Sequence, residues 1–309
     1  MLLGMAIAFI SHSDCRLHDM GSFHPESPLR LDAIWQQLVN DQIEPLLELL
    51  DAPLASREQL ALAHSPEYIE SVYRTAPVHG TVELDPDTTM NPHTLTAALR
   101  AAGAAVLGVD RVMSGQNQAA FCCVRPPSHH AERNRAMGFC IFNNVAIGAL
   151  YALHTHSLKR VAIVDFDVHY GNGTENIIHG TPAAMLCSSF EHPFYPGSGV
   201  GPLPKHIIKV PLPAGTGRQP FRQAVESRIL PALESFRPEM ILFSAGFDGH
   251  KEDPLAGFNL TEEDYHWITT RVRHIADKFA QGRIVSTMEG GYALQALGRS
   301  VSAHLQALL

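Results

Sequence analysis

Cysteine is sparse in these 309 residues: there are five, two of them adjacent at Cys122-Cys123 and none in a CxxC pair. That excludes a disulfide-stapled scaffold and a thiolate zinc finger, and it favours a reducing compartment, so a cytoplasmic protein is expected. Nowhere does the chain offer the roughly 18 consecutive apolar residues that a membrane-spanning helix needs. The apolar start, residues 1–10, has no basic flank and runs into Ser11-His12-Ser13-Asp14 instead of a small-residue cleavage site; it reads as a first strand, not a leader. Positive charge is also short, with 23 Lys and Arg against 31 Asp and Glu. A net charge of -8 gives no overall attraction for nucleic acid or an anionic membrane. Repeats, low-complexity runs and linkers are missing too, so residues 1–309 are expected to fold as one domain.

Histidine, by contrast, is plentiful at 18 residues. The stretch that organises the chain is Asp165-Phe166-Asp167-Val168-His169-Tyr170-Gly171-Asn172-Gly173. It follows the β-branched run Val161-Ala162-Ile163-Val164, which reads as a buried parallel strand. Side chains alternate along an extended chain, so Asp165, Asp167 and His169 are expected on one face and Phe166, Val168 and Tyr170 on the other, with Gly171 and Gly173 forming a tight turn.

Three further apolar runs end in polar groups. Residues 119–124 lead into Arg125-Pro126-Pro127-Ser128-His129-His130-Ala131, residues 240–246 into Asp248, and residues 283–289 into Gly290-Gly291-Tyr292. Open α/β sheets bind ligands at the carboxyl ends of their strands, so an α/β fold with a parallel sheet and one shared site is expected. Additional strands are predicted at 184–189 and 207–210, and helices at 94–114, 144–154 and 221–236. Residues 41–90 read as a helical flank with short pieces at 58–63 and 66–75. The loop Phe190-Glu191-His192-Pro193-Phe194-Tyr195-Pro196-Gly197 carries aromatics suited to a pocket rim.

Asp167, His169 and Asp248 form a set of one imidazole and two carboxylates, the composition of a catalytic rather than a structural zinc site. A divalent ion so held acidifies water, and the matching reaction is hydrolysis of a carbonyl compound; other hard or borderline ions accept the same ligands. His129 and His130 supply the proton transfers. Asp165 orients one imidazole and Asn172 the other without adding charge. Tyr292, on its Gly-Gly turn, polarises the substrate carbonyl.

With these motifs and Gly138-Phe139-Cys140 in place, the chain resembles the zinc-dependent histone deacetylase superfamily, closest to its class II-like bacterial members, over nearly its whole length. The resemblance implies a three-layer α-β-α domain with a central, mainly parallel sheet, of the arginase/deacetylase type. It implies one Zn2+ on Asp167, His169 and Asp248, His130 as general base and acid, His129 as its electrostatic partner, and Tyr292 as carbonyl polariser. Gly138 and Phe139, with Phe194 or Tyr195 opposite, would line a narrow tunnel, and Arg30 would stand beside an internal release path for acetate. A structural K+ near Asp165, Asp167, His169, Ser188 and Ser189 is implied as well.

The implied substrate is an acyl-lysine peptide or protein, with an acetylpolyamine or other small acetylamine as the alternative. Leu255 bears on that choice: polyamine-selective relatives put Glu there, whereas Leu leaves the rim apolar. Glu26 and Glu191 are the carboxylates from other loops that would draw a cationic amine. A two-metal ureohydrolase would need further carboxylate ligands, and a non-catalytic acyl-lysine-binding scaffold would be expected to lack Tyr292 or a ligand. Ser128 and Tyr170 depart from the family's usual Gly and His without removing a catalytic group.

Overall fold

A computed structural model describes residues 6–199, 201 and 204–309. Among the described residues eight strands form one sheet: β1 (Ile7–Ser11), β2 (Leu47–Asp51), β5 (Ala119–Cys122), β6 (Val161–Asp165), β7 (Ala184–Glu191), β8 (Ile207–Leu212), β9 (Met240–Ala245) and β10 (Ile284–Met288). Their order is β2-β1-β5-β10-β9-β6-β7-β8, and every pairing is parallel. A separate antiparallel hairpin joins β3 (Val82–Asp85) to β4 (Thr88–Met90). The expectation of a first strand at 1–10 is met from Ile7 onward; residues 1–5 lie outside the described residues.

Helices cover both faces. Phe121 packs against His304, on the helix α10 (Leu294–Leu308). The Cβ of its neighbour Ala120 lies close to Gly108, on α4 (Thr94–Met113). Adjacent strand residues point to opposite faces, so α10 and α4 lie on opposite sides of the sheet and the fold has three layers. α1 (Leu29–Asn40) and α9 (Glu262–Phe279) pack with α10, and α5 (Asn144–Thr155) packs with α4. The alanines of α4 permit that close approach, and with strong helix propensity they make it the longest helix described.

Two expectations need correction. Residues 41–90 are not only helical: besides α2 (Arg57–Ala61) and α3 (Pro66–Thr75) they hold the edge strand β2 and the β3–β4 hairpin. β2, Leu47-Glu48-Leu49-Leu50-Asp51, lacks clean alternation, and its parallel pairing with β1 is a long-range contact that local pattern does not report. The helix expected at 221–236 is broken into α7 (Arg218–Ala224), a wide π turn at Val225–Ile229 and α8 (Leu230–Phe236). Pro231 has no N–H to continue the ladder, and the wider turn accommodates it.

β5, β10, β9 and β6 are adjacent in this order, and because they are parallel their carboxyl ends share one edge. Beneath that edge Phe166, Phe243, Phe247, Tyr265 and His304 form a buried aromatic cluster. Burying one such ring fully contributes about 1.5–3 kcal/mol, and the close packing gives the site a stiff floor.

Candidate active site

The strand β6 ends at Asp165, and the chain then bends. The convergence of Asp165, Asp167 and His169 therefore does not come from extended alternation. It comes from two successive side-chain-to-backbone turns. Asp165 Oδ1 accepts the N–H of Asp167 at 3.1 Å, and Asp167 Oδ1 accepts the N–H of His169 at 2.8 Å. Phe166, Val168 and Tyr170 are buried behind them. The Gly171/Gly173 turn also needs revision: Gly173 lies within α6 (Asn172–Ile178), and a Cβ there would come within 2.3 Å of the Ala131 carbonyl oxygen. That glycine lets the helix abut the histidine loop.

Asp248, just past β9, completes the group. Its Oδ1 accepts the Val168 N–H at 3.0 Å, while Oδ2 lies 3.1 Å from His169 Nδ1; Asp167 Oδ1 lies 3.0 Å from the same nitrogen. One ligand atom from each of the three residues lies within 4.8 Å of the others. Burial raises Asp248, and the charge of Asp167 adds to this. Burial opposes ionisation of Asp167 too, but His129 and His169 hold it well below the usual carboxylate range. Burial pushes His169 down, yet hydrogen bonds and charge from Asp167 and Asp248 outweigh it and take the ring to about 10. Two buried carboxylates facing one imidazole nitrogen are the donor set that a divalent cation would take, with His169 then neutral. The backbone also keeps this space open. A Cβ on Gly246 would sit 2.0 Å from Asp167 Oδ2, and one on Gly290 would sit 2.0 Å from Asp248 Oδ2. The donor set and the cradle both fit a divalent metal.

The histidine loop leaves β5 and is tied down from behind. Ser128 N–H, Ser128 Oγ and the His129 N–H all donate to the buried carboxylate of Glu289 at the end of β10. His129 Nδ1 lies 3.0 Å from Asp165 Oδ2, His130 Nδ1 lies 2.8 Å from Asn172 Oδ1, and the two rings are 4.0 Å apart. Their environments pull them apart. Burial lowers both, but Asp167 and Asp165 hold His129 well above the usual histidine range. His130 has only the neutral amide at Nδ1, so burial and the charges of His129 and His169 hold it well below that range. Side by side, one environment favours the imidazolium and the other the neutral ring. Burial raises Asp165 to about 6, although the charge of His129 partly offsets this.

A cavity of about 200 Å³ opens onto these groups, lined among others by His129, His130, His169, Phe139, Tyr195 and Leu255. Gly138 and Tyr292 line it too. Gly138 has φ +58°, and a Cβ there would meet His130 Cδ2 at 2.4 Å, so the wall can approach the imidazole only with glycine. Burial keeps the Tyr292 phenol protonated, well above its usual range. A larger open groove of about 500 Å³ lies at the sheet edge by Trp35 and Leu49, away from this chemistry.

Several expected residues fall elsewhere. Phe194 does not line the cavity; its ring stacks on His169 at 5.4 Å, which leaves Tyr195 as the wall opposite Phe139. Arg30 is buried below the cavity, donating to the carbonyls of Gly291 and Glu289, with its guanidinium carbon 5.1 Å from the centre of the Tyr292 ring. Glu26 is not at a rim: it is fully buried and bound by Arg125 and Arg30. Glu191 is buried as well and accepts the Gly257 N–H at 2.7 Å. Neither carboxylate is free to attract an amine. Ser188 faces Asp165 across the β6–β7 register, and the hydroxyls of Ser188 and Ser189 are buried without a hydrogen-bond partner. As adjacent strand residues they point to opposite faces, so only one hydroxyl can face Asp165.

The carboxylate that does line the cavity is Asp87, which sequence reasoning missed. It sits at the β3–β4 turn, where its Oδ1 accepts the Gly138 N–H at 2.9 Å, and Thr88 Oγ1 accepts the Phe139 N–H at 3.0 Å. The only signal was the Pro86-Asp87 turn pair. Glu289 was visible only as the residue ahead of Gly-Gly-Tyr.

A parallel α/β sheet thus gathers paired imidazoles, a His-Asp-Asp cluster and a tyrosine at one strand edge, an arrangement able to hydrolyse an amide bond. The family model described as "Histone deacetylase domain" matches residues 24–308, and the chain belongs to the histone deacetylase family. It is similar to the histone deacetylase-like amidohydrolase of Pseudomonas aeruginosa, with 34% identity over 87% of this chain and 73% of that one. It is also similar to polyamine deacetylase HDAC10 of Mus musculus, with 36% identity over 99% of this chain and 48% of the mouse protein. Some relatives are far longer: the chain spans 20% of type-2 histone deacetylase 2 of Dictyostelium discoideum. The crystal structure of the HDA15 HD domain superposes with a TM-score of 0.92 at 30% identity, covering 99% of this chain and 88% of that one. No helix among the described residues is long and apolar enough to cross a membrane.

Proposed function

We propose that residues 1–309 form one catalytic domain, a zinc-dependent deacetylase that removes acetyl or other short acyl groups from the ε-amine of acyl-lysine in peptides or proteins. The observation that carries this reading is the pairing of His129 with the Asp165 carboxylate and of His130 with the neutral Asn172 amide beside the Asp167, His169 and Asp248 cluster. These three residues would hold one Zn2+, which when bound supplies Lewis acidity toward the carbonyl and acidifies water.

The rest falls to the chain. His130, neutral and with Nδ1 engaged by Asn172, takes the proton of the attacking water and returns it to the leaving amine. His129, kept cationic by Asp165, stabilises the negative charge that develops. The Tyr292 hydroxyl donates to the carbonyl oxygen. Arg30, below the tyrosine, would attract the carboxylate product. Phe139 and Tyr195 give the cavity walls suited to an alkyl chain, and Leu255 gives it an apolar mouth. A K+ beside Asp165, Asp167 and His169 would be supported by the unpartnered Ser188 hydroxyl and by the main chain of Ser189. Five free cysteines, all buried, suit a cytoplasmic setting.

The second reading, an acetylpolyamine deacetylase, is favoured by Asp87 in the cavity wall and by the similarity to the mouse enzyme named for polyamines. Leu255 and the burial of Glu26 and Glu191 weigh against it. The deciding experiment compares kcat/KM for acetyl-lysine peptides, acetylputrescine and acetylspermidine. A clear preference for the peptides supports the first reading, and a preference for the polyamines replaces it with the second.

A further inference from the structure

Leu255 reaches the cavity on the segment 249–257, and the same segment carries a buried carboxylate with no assigned role. Asp253 is 7% exposed. Its Oδ2 accepts the N–H groups of Tyr292 at 2.7 Å and Ala293 at 3.2 Å, and its Oδ1 accepts the N–H of Leu255 at 3.0 Å.

Those acceptors matter because they tie the turn to a second loop: Arg30 holds the Gly291 and Glu289 carbonyls and Asp167 the Gly290 N–H, whereas the Tyr292 and Ala293 N–H groups go to Asp253. Gly291 has φ +127°, a conformation open to glycine but rarely to other residues, which lets the chain turn just ahead of Tyr292. Helix α10 follows at Leu294, and its N-cap, Ala293, has no side chain that can accept a hydrogen bond. N–H groups at a helix start need an acceptor, and Asp253 supplies one from 40 residues away. Its negative charge also lies at the positive end of the helix dipole. The segment bearing Asp253 is anchored at several points. Lys251 N–H donates to the Leu260 carbonyl at 2.9 Å, Leu260 N–H to the Gly249 carbonyl at 3.1 Å, and Arg299 pairs with Glu252 at 2.8 Å. The Tyr292 turn is thereby joined to this segment through one carboxylate.

We propose that Asp253 is a positioning residue whose carboxylate clamps the backbones of Tyr292 and Leu255 together, holding the phenol at a set distance from the apolar mouth. The inference rests on the reading of Tyr292 as the donor to the substrate carbonyl. Asparagine has nearly the same shape but one carbonyl oxygen, so it can serve the Tyr292 and Ala293 donors or the Leu255 donor, and its NH2 group opposes whichever remains.

The test places Asp253→Asn in the wild-type and Tyr292→Phe backgrounds. It measures kcat, KM, zinc per chain and residue-resolved hydrogen–deuterium exchange at 255, 292 and 293. The expected result in the wild-type background is a fall in kcat of about 10- to 100-fold, with KM and zinc content unchanged and faster exchange at the three amides. Added to Tyr292→Phe, the substitution should cost nothing further. Equal fold-losses in both backgrounds would show that Asp253 does not act through Tyr292 and would overturn the proposal. Unchanged exchange at 292 and 293 would overturn it as well. If the wild-type protein cleaves no acyl amine, the functional reading fails by itself, and the exchange data still decide the clamp: acceleration confined to 255, 292 and 293 supports it, and no acceleration refutes it.

Discussion

The side-chain oxygen of Asn172 stands 2.8 Å from Nδ1 of His130, and the amide's Nδ2 donates to Glu132 Oε1 at 2.8 Å. The second bond fixes which way the amide faces. His130 must therefore carry its proton on Nδ1, leaving Nε2 as the free base. An amide orients the ring as a carboxylate would, but without a charge it stabilises the ring's cation far less. The adjacent His129, facing Asp165, has the opposite arrangement.

Asn172→Asp should exchange that neutral partner for a charged one. A carboxylate at this distance raises an imidazole by about 1–3 pKa units. His130 would then stay protonated to higher pH, so the acidic limb of the kcat/KM profile should move upward and activity at neutral pH should fall. An unmoved limb would mean that His130 is not the base.

Gly138→Ala tests the cavity wall. The new Cβ would press on His130 at a positive φ that alanine adopts poorly. Turnover should fall by about 100-fold with zinc still bound, as measured by metal analysis beside kcat. A variant as active as wild type would show that the wall does not constrain the imidazole.

Leu255→Glu places a carboxylate at the mouth. The ratio of kcat/KM for acetylspermidine to that for an acetyl-lysine peptide should rise by about tenfold, as a gain of roughly 1–2 kcal/mol from one partly solvated charge would give. A constant ratio would move the choice of substrate to another group, with Asp87 the first to examine.

His64 makes stability depend on pH. Its Nε2 accepts the Asn143 N–H at 2.9 Å and its Nδ1 donates to the Glu132 carbonyl at 3.0 Å, so the folded ring must be neutral. Burial pushes it from 6.5 to about 4. The unfolded chain takes up a proton first as pH falls. Stability is therefore full above pH 6.5 and declines towards pH 4, by about 3 kcal/mol in all. His64→Gln should give a flatter curve of Tm against pH across that window, and an identical slope would contradict this account.

Local sequence revealed the central strands because their ends carry unusual side chains. Asp165, Asp167, His169, Asp248 and Tyr292 could be paired with chemistry before any contact was known. A residue whose meaning lies in a distant partner was not legible in this way. Asp87 reaches Gly138 across 51 residues and Asp253 reaches Tyr292 across 39; nothing local to either acid names its partner. Glu26 and Glu191 looked available as loop acids, and only their burial against Arg125 and Gly257 removes them from the rim. The extended-chain reading of 165–169 found the right group by the wrong geometry, since a run of side-chain turns gathers the same residues that alternation would.

The most direct test of the central claim is acetate release by purified protein carrying one zinc per chain, assayed on acetyl-lysine peptides, acetylputrescine and acetylspermidine, before and after chelation and metal return. The account predicts acetate from the peptides with the highest kcat/KM, abolished by the chelator and restored by zinc. Zinc-loaded protein that releases no acetate from any of these substrates would contradict it.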